Sequence, residues 1–133
     1  VLMGRKASQS DVSVQAVTNA TELAHAVAVI DEVDVVQSVA DYIVQVANAT
    51  RVHPDLRLGV STRGTLSMMR IAKAYAATEQ RTYVTPDDIR ELVPNVFSHR
   101  IAVSPEAELR GVRAAQVLAE VMDDIPVPRQ REV

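Results

Sequence analysis

Residues 59–80 read GVSTRGTLSMMRIAKAYAATEQ, and the apolar spacing in this stretch predicts a helix. Leu66, Met69, Ala72 and Ala76 fall on one face, and Met68, Ile71 and Tyr75 widen it. Such a helix is expected to be central and contacted from two sides. Ser61 is a good N-cap, because its hydroxyl can accept from a free N–H of the first turn. The end is expected near Gln80. Arg63 sits badly in this frame. At the second helical position a cation faces the positive end of the helix dipole, a mismatch of about 0.3–1 kcal/mol at an exposed site. The same helix end offers free N–H groups that favour an anion. An anion beside Arg63 would resolve the conflict, and phosphate suits the bidentate fork of arginine. The alternative is an exposed arginine with its head in water.

Working outward, Asn19 with Glu22 forms a capping-box pattern that opens a first helix over 20–30, with Leu23, Val27 and Ile30 as its expected buried stripe. A second helix over 36–51 carries Val39, Ala40, Ile43, Val44 and Ala47 at helical spacing. Its many valines make a strand the competing reading. Residues 52–59 are expected to be a loop: Pro54 biases His53 away from helix, and Gly59 permits a positive φ. After the central helix, Thr85-Pro86-Asp87-Asp88 signals another start, with a Thr cap, Pro at the first position and acids where the dipole favours them. Ile89, Leu92 and Val93 supply its stripe, and Pro94 is expected to stop or kink it. Residues 96–103 suggest a helical turn followed by an extended piece. A last helix over 113–122 would bury Val117, Leu118 and Val121, with Asp123-Asp124 as a solvated exit. The predicted class is mainly all-α: a small bundle of about five helices with at most short strand pieces.

Composition narrows the possible functions. The 133 residues suit one domain with a real core. Aromatic residues make up 3% of the chain, with no Trp, so there is no stacking platform for nucleobases. The formal charge of −3 makes it a poor general binder of nucleic acid. No Cys is present, which excludes disulfides and thiolate metal sites. No apolar run approaches the length needed to span a bilayer. His25, His53 and His99 are far apart in sequence and form no metal-ligand or nucleophile–base motif. Asp87-Asp88 reads as capping residues and not as a metal pair. No phosphate-binding glycine loop is present, so the chain should not hydrolyse a nucleotide alone.

Several segments, taken in order, resemble the C-terminal lid domain of MoxR-type AAA+ ATPases. They are Ala49-Thr50-Arg51, His53-Pro54, Gly59-Val60-Ser61-Thr62-Arg63, Tyr83-Val84-Thr85-Pro86-Asp87-Asp88, His99-Arg100-Ile101 and Pro126-Val127-Pro128. The resemblance covers residues 18–128. It implies that residues 1–17 are the end of a preceding nucleotide-binding core and a linker, and that 129–133 form a tail. It also implies that this helical lid folds over ATP, with Mg2+, bound to that core. Arg63 is similar to the sensor 2 arginine that reaches toward the terminal phosphates, and Ser61 and Thr62 flank it at the nucleotide. The parent would be a ring-forming, chaperone-like remodelling ATPase of the cytoplasm. Its partners would be its own core, neighbouring subunits and protein clients, with metalloprotein complexes among the candidates.

The sequence departs from the family pattern at three places. Thr62 replaces a common Pro, Gly64 replaces the usual Ala, and Val36 stands where a capping Ser or Asp is typical. Gly64 is expected to weaken the helix start by up to ~1 kcal/mol relative to Ala. Other readings are a lid of a chelatase- or helicase-type AAA+ ATPase, a stand-alone DNA-binding or histone-like module, and a partner-binding bundle without a nucleotide role.

Overall fold

The structure is a computed structural model and describes residues 15–128. The expectations for residues 1–14 and for the tail at 129–133 lie outside the described residues. The helices are α1 (Ala20–Asp31), α2 (Gln37–Val52), α3 (Thr62–Thr78), α4 (Pro86–Phe97), α5 (Pro105–Leu109) and α6 (Ala114–Asp124). Two short strands, β1 (Leu56–Leu58) and β2 (Ala102–Val103), complete the fold, with a 3-10 turn at Ser98–Arg100 before β2. The mainly-α class stands.

The second segment is helical despite its valines, because period-3.6 burial decides. Val39, Tyr42, Ile43, Val46, Ala47 and Thr50 are all buried on one face of α2, whereas Val44 points outward. In α3 the buried row is Gly64, Met68, Ala72 and Ala76. This corrects the predicted stripe: Met69 is half-buried and Leu66 is exposed. The core joins these rows to Ile89, Val93, Val96 and Phe97 of α4 and to Val117, Leu118 and Val121 of α6. Pro94 does not end α4. Pro lacks the N–H that would bond the carbonyl of Arg90, but Val96 and Phe97 are buried beyond it and hold the last turn in place.

Packing departs most from expectation at α1. Asn19 caps it as predicted, its side chain accepting from the N–H of Glu22 at 3.0 Å. The stripe, however, is not buried: Leu23 is 59% exposed and Val27 51% exposed. No residue of α1 is buried, and the helix is tied down at its C-terminal end, where Lys73 Nζ donates to the carbonyl of Asp31 at 2.9 Å. Amphipathic spacing specifies a face; it does not supply an element to cover it.

Two further elements were not foreseen. Within the expected loop 52–59, β1 pairs antiparallel with β2, Leu56 opposite Val103 and Leu58 opposite Ala102, with an irregularity between them. Helix α5 was missed although its signals were present. Ser104 caps it, Pro105 takes the first position, and Gly111 follows with φ +83°. There the N–H of Gly111 bonds Glu108 and that of Val112 bonds Ala107, a Schellman ending. Helix α3 ends the same way, with Gln80 bonding Ala77 and Arg81 bonding Ala76. Here the left-handed position holds Gln80, at φ 57°.

The linker between α3 and α4 is fixed by main-chain pairing. Asp34 donates to Thr82 at 2.8 Å and accepts from Val84 at 3.0 Å. Thr85 and Asp88 then form a reciprocal capping box that starts α4.

Candidate functional site

The start of α3 is assembled from three parts of the chain. Ser61 is the N-cap, its Oγ accepting from the N–H of Gly64 at 3.2 Å and its carbonyl from the N–H of Thr65 at 3.0 Å. The N–H groups of Thr62 and Arg63 have no acceptor among the described residues. They are the free donors that every helix start leaves. No acid stands in the first turn of α3. Arg63 is exposed, and its side chain makes no hydrogen bond or ion pair among the described residues.

Beneath this exposed tip the chain is held tightly. Val60 is fully buried, and both its main-chain polar groups are taken by side chains from the end of α2. Its N–H donates to Thr50 Oγ1 at 2.9 Å, and its carbonyl accepts from Arg51 Nε at 2.7 Å. Thr50, itself fully buried, donates its hydroxyl hydrogen bond to the carbonyl of Ala47 at 2.6 Å. Arg51 is fixed further by a bond from its Nη1 to Asn48 Oδ1 at 3.0 Å.

Two glycines allow this closeness. A Cβ on Gly59 would lie 2.6 Å from the Cα and N of Arg51, so the segment could not approach α2 with any other residue there. Gly59 does not adopt a positive φ, which corrects the sequence reading: the requirement is space, not conformation. A Cβ on Gly64 would lie 2.8 Å from Val60 Cγ1 and 3.1 Å from Arg100 Cδ. Gly64 is therefore not merely a weak helix former. It lets the stem of Arg100 lie across the first turn of α3, while the Arg100 guanidinium bonds the carbonyl of Val96 and the His99 ring.

Of the residues singled out from sequence, Ser61, Thr62 and Arg63 share this one helix end. The site reading missed Thr50, Arg51 and Arg100, although the motifs that contain them had been recognised. Thr50 lies near a helix end, eleven residues before the capping Ser61, and no spacing rule marks it. The histidines do not converge. His25 is exposed on α1, and His99 belongs to the turn before β2. His53 Nδ1 accepts from the N–H of Asp55 at 3.2 Å, and its Nε2 lies 3.5 Å from Glu120 of α6. Asp88 is a cap and ion-pair residue, bonded to Arg81 and Thr85, and Asp87 is exposed.

The Nε of Arg51 and the stem of Arg100 thus brace the start of α3, Arg63 stands exposed on its first turn, and no acid stands there, so this helix end favours an anion. This geometry sits in a recognisable frame. The AAA lid domain family matches residues 48–121, more than half of the chain. The chain belongs to that family. Its relatives assign it to the C-terminal lids of MoxR-type AAA+ ATPases. It is 44% identical over 94 residues to the protein YeaC of Bacillus subtilis, covering 71% of this chain and 29% of that one. It is 28% identical over 105 residues to the chaperone MoxR1 of Mycobacterium tuberculosis, covering 72% of this chain and 28% of that protein. Magnesium-chelatase subunit ChlI of Chlamydomonas reinhardtii shares 42% identity over 60 residues, 44% of this chain and 14% of its own length. A crystal structure of a protein assigned as an ATPase, from Cytophaga hutchinsonii, superposes with a TM-score of 0.73 at 29% identity, over 77% of this chain and 34% of that one. The chain spans less than a third of the length of these curated relatives. Among the described residues no helix is long and apolar enough to cross a membrane.

Proposed function

We propose that this domain is the moving lid of an ATPase and that it closes over ATP held by a nucleotide-binding core, with Arg63 contacting the terminal phosphates. The observation that supports this most directly is the unpaired, exposed Arg63 on the rigid start of α3, beside two free N–H groups. Guanidinium, N–H donors and helix dipole all favour the same negative charge. In this reading the N–H groups of Thr62 and Arg63 face the phosphates, and Ser61 sets the helix end that presents them. Mg2+ would be held by the core and the phosphates, since the chain offers it no ligand cluster among the described residues. Loss of the terminal phosphate removes the charge that Arg63 binds. The closed and open lid positions then differ in stability by that contact, which is how hydrolysis becomes movement.

The parent would be a ring-forming, chaperone-like remodeller of protein clients in the cytoplasm, as the likeness to a MoxR chaperone suggests. The test is Arg63→Ala in the full-length ATPase. The expected result is a raised KM for ATP or a loss of turnover; unchanged ATPase kinetics would sink the assignment. A second reading, a lid of chelatase type, is favoured by the 42% identity to a magnesium-chelatase subunit. It shares the role of Arg63 and differs in the client. Purifying the full-length ATPase with its bound client proteins separates the two.

A further inference from the structure

Arg63 is held in place by contacts that it does not itself make. Its side chain touches no partner, yet Val60, three residues before it, is held at every polar atom and on its side chain. The two side chains that hold Val60 are neighbours, Thr50 and Arg51, at the last turn of α2. We infer that Thr50 and Arg51 are positioning residues for the nucleotide contact, acting through the main chain of Val60 to fix where Arg63 stands. This rests on the reading of Arg63 given above.

The geometry favours a positioning role over plain structural support. Thr50 could satisfy its own hydroxyl within α2 through the carbonyl of Ala47, at 2.6 Å, without reaching the loop. Its acceptor lone pair goes instead to Val60 N–H, at 2.9 Å. Arg51 lies on an exposed helix end and could keep its head in water, but it gives Nε to the carbonyl of Val60 at 2.7 Å. One hydrogen bond would tether the segment and leave it free to rotate about that bond. Two bonds, one to each face of the same residue, fix position and orientation together. Gly59 lets the segment lie so close to α2 that a Cβ there would fall 2.6 Å from the Cα and N of Arg51, and Gly64 closes the first turn back onto Val60. The first turn of α3 therefore moves with the end of α2 as one body. A small rotation of this turn would carry the long Arg63 side chain out of reach of a phosphate. Misplacement of a binding group by about 1 Å can cost as much as 100-fold in rate.

The experiment is steady-state ATP turnover by the full-length ATPase against ATP concentration, alongside thermal unfolding. Thr50→Val keeps the shape and removes both hydrogen bonds of the hydroxyl; it is expected to raise KM for ATP by roughly tenfold. Thr50→Ser keeps the hydroxyl and should restore KM to within about twofold of wild type. Val117→Ala in α6, a core change remote from α3, should lower the melting temperature and leave KM unchanged. In the Arg63→Ala background, Thr50→Val should raise KM by much less than in wild type, because the guanidinium it positions is gone and only the first-turn N–H donors remain. If Thr50→Val does not yield folded protein, Arg51→Met supplies the same test from the carbonyl side. The inference fails if these variants shift the melting temperature but not KM, or if they raise KM equally with and without Arg63. Either result alongside an active effect of Arg63→Ala overturns the positioning role alone. No effect of Arg63→Ala overturns the nucleotide reading, and the positioning role with it.

Discussion

Arg81 and Asp88 form a two-bond ion pair, Nη1 to Oδ2 at 2.8 Å and Nη2 to Oδ1 at 2.7 Å, that closes the turn between α3 and α4. Asp88 also accepts from the N–H of Thr85 at 2.7 Å, so a single carboxylate caps one helix and anchors the exit of another. Burial alone would raise its pKa, but the Arg81 and Thr85 hydrogen bonds outweigh it and the net shift is downward. A carboxylate depressed in the folded state contributes stability above its unfolded pKa and loses it as pH falls through the folded value. Stability should therefore be level near neutrality and decline below roughly pH 4. Asp88→Ala should flatten that acid limb and cost about 1–3 kcal/mol at neutral pH, since Arg81 is partly solvated and the loss stays below that of a fully buried pair. Urea unfolding of both proteins from pH 3 to 7 checks both statements.

Gly64→Ala should destabilise the domain, although Ala is the better helix former by about 1 kcal/mol. The new methyl would meet Val60 Cγ1, which is fully buried and clamped, and Arg100 Cδ, which can shift. Overpacking of this kind costs about 1–3 kcal/mol. Chemical denaturation reads it, and a gain in stability would show that the first turn has slack.

Gln80→Gly should have the opposite sign. Gln80 holds φ 57° at the end of α3, where a side chain costs roughly 1 kcal/mol that glycine avoids. The expected rise in melting temperature contrasts with Gly111→Ala, which places a side chain at φ +83° in open space and should lower stability by a similar amount.

Arg63→Ala should leave folding stability within about 0.5 kcal/mol of wild type, because the side chain is exposed and unpartnered. Within that range the sign should be stabilising, because a cation leaves the positive end of the helix dipole. Set beside a loss of ATP turnover, an unchanged melting curve would separate binding from folding at this residue.

Sequence alone yielded the fold wherever a local signal agreed with burial. The Thr85 cap, the Asn19 cap and the Ser61 cap all stand where side-chain chemistry placed them. Periodicity was less informative about which face is covered. Leu23 and Val27 are as well spaced as Val39 and Ile43, yet the first pair faces solvent and the second the core. The site was half legible. Arg63 stood out because it conflicts with the helix dipole, a local property. Thr50 and Arg51 did not, because their partner is a main-chain group ten and nine residues away and no spacing rule points to it. Gly64 was read only as a weak helix former for a related reason: the close approach of Val60 and of Arg100, which comes much later in the chain, follows from packing.

The two kinds of contact on the start of α3 differ in when they become available during synthesis. Thr50 and Arg51 precede Val60 in the chain, so that grip can form once the sixties leave the ribosome. Arg100 and the strand that pairs with β1 follow about forty residues later, roughly 2–8 s at 5–20 residues per second. For that interval the nascent segment is anchored on one side only, its apolar row open until α4 and β2 arrive. Gly64, packed between an early partner and a late one, marks the place where the two stages of assembly meet.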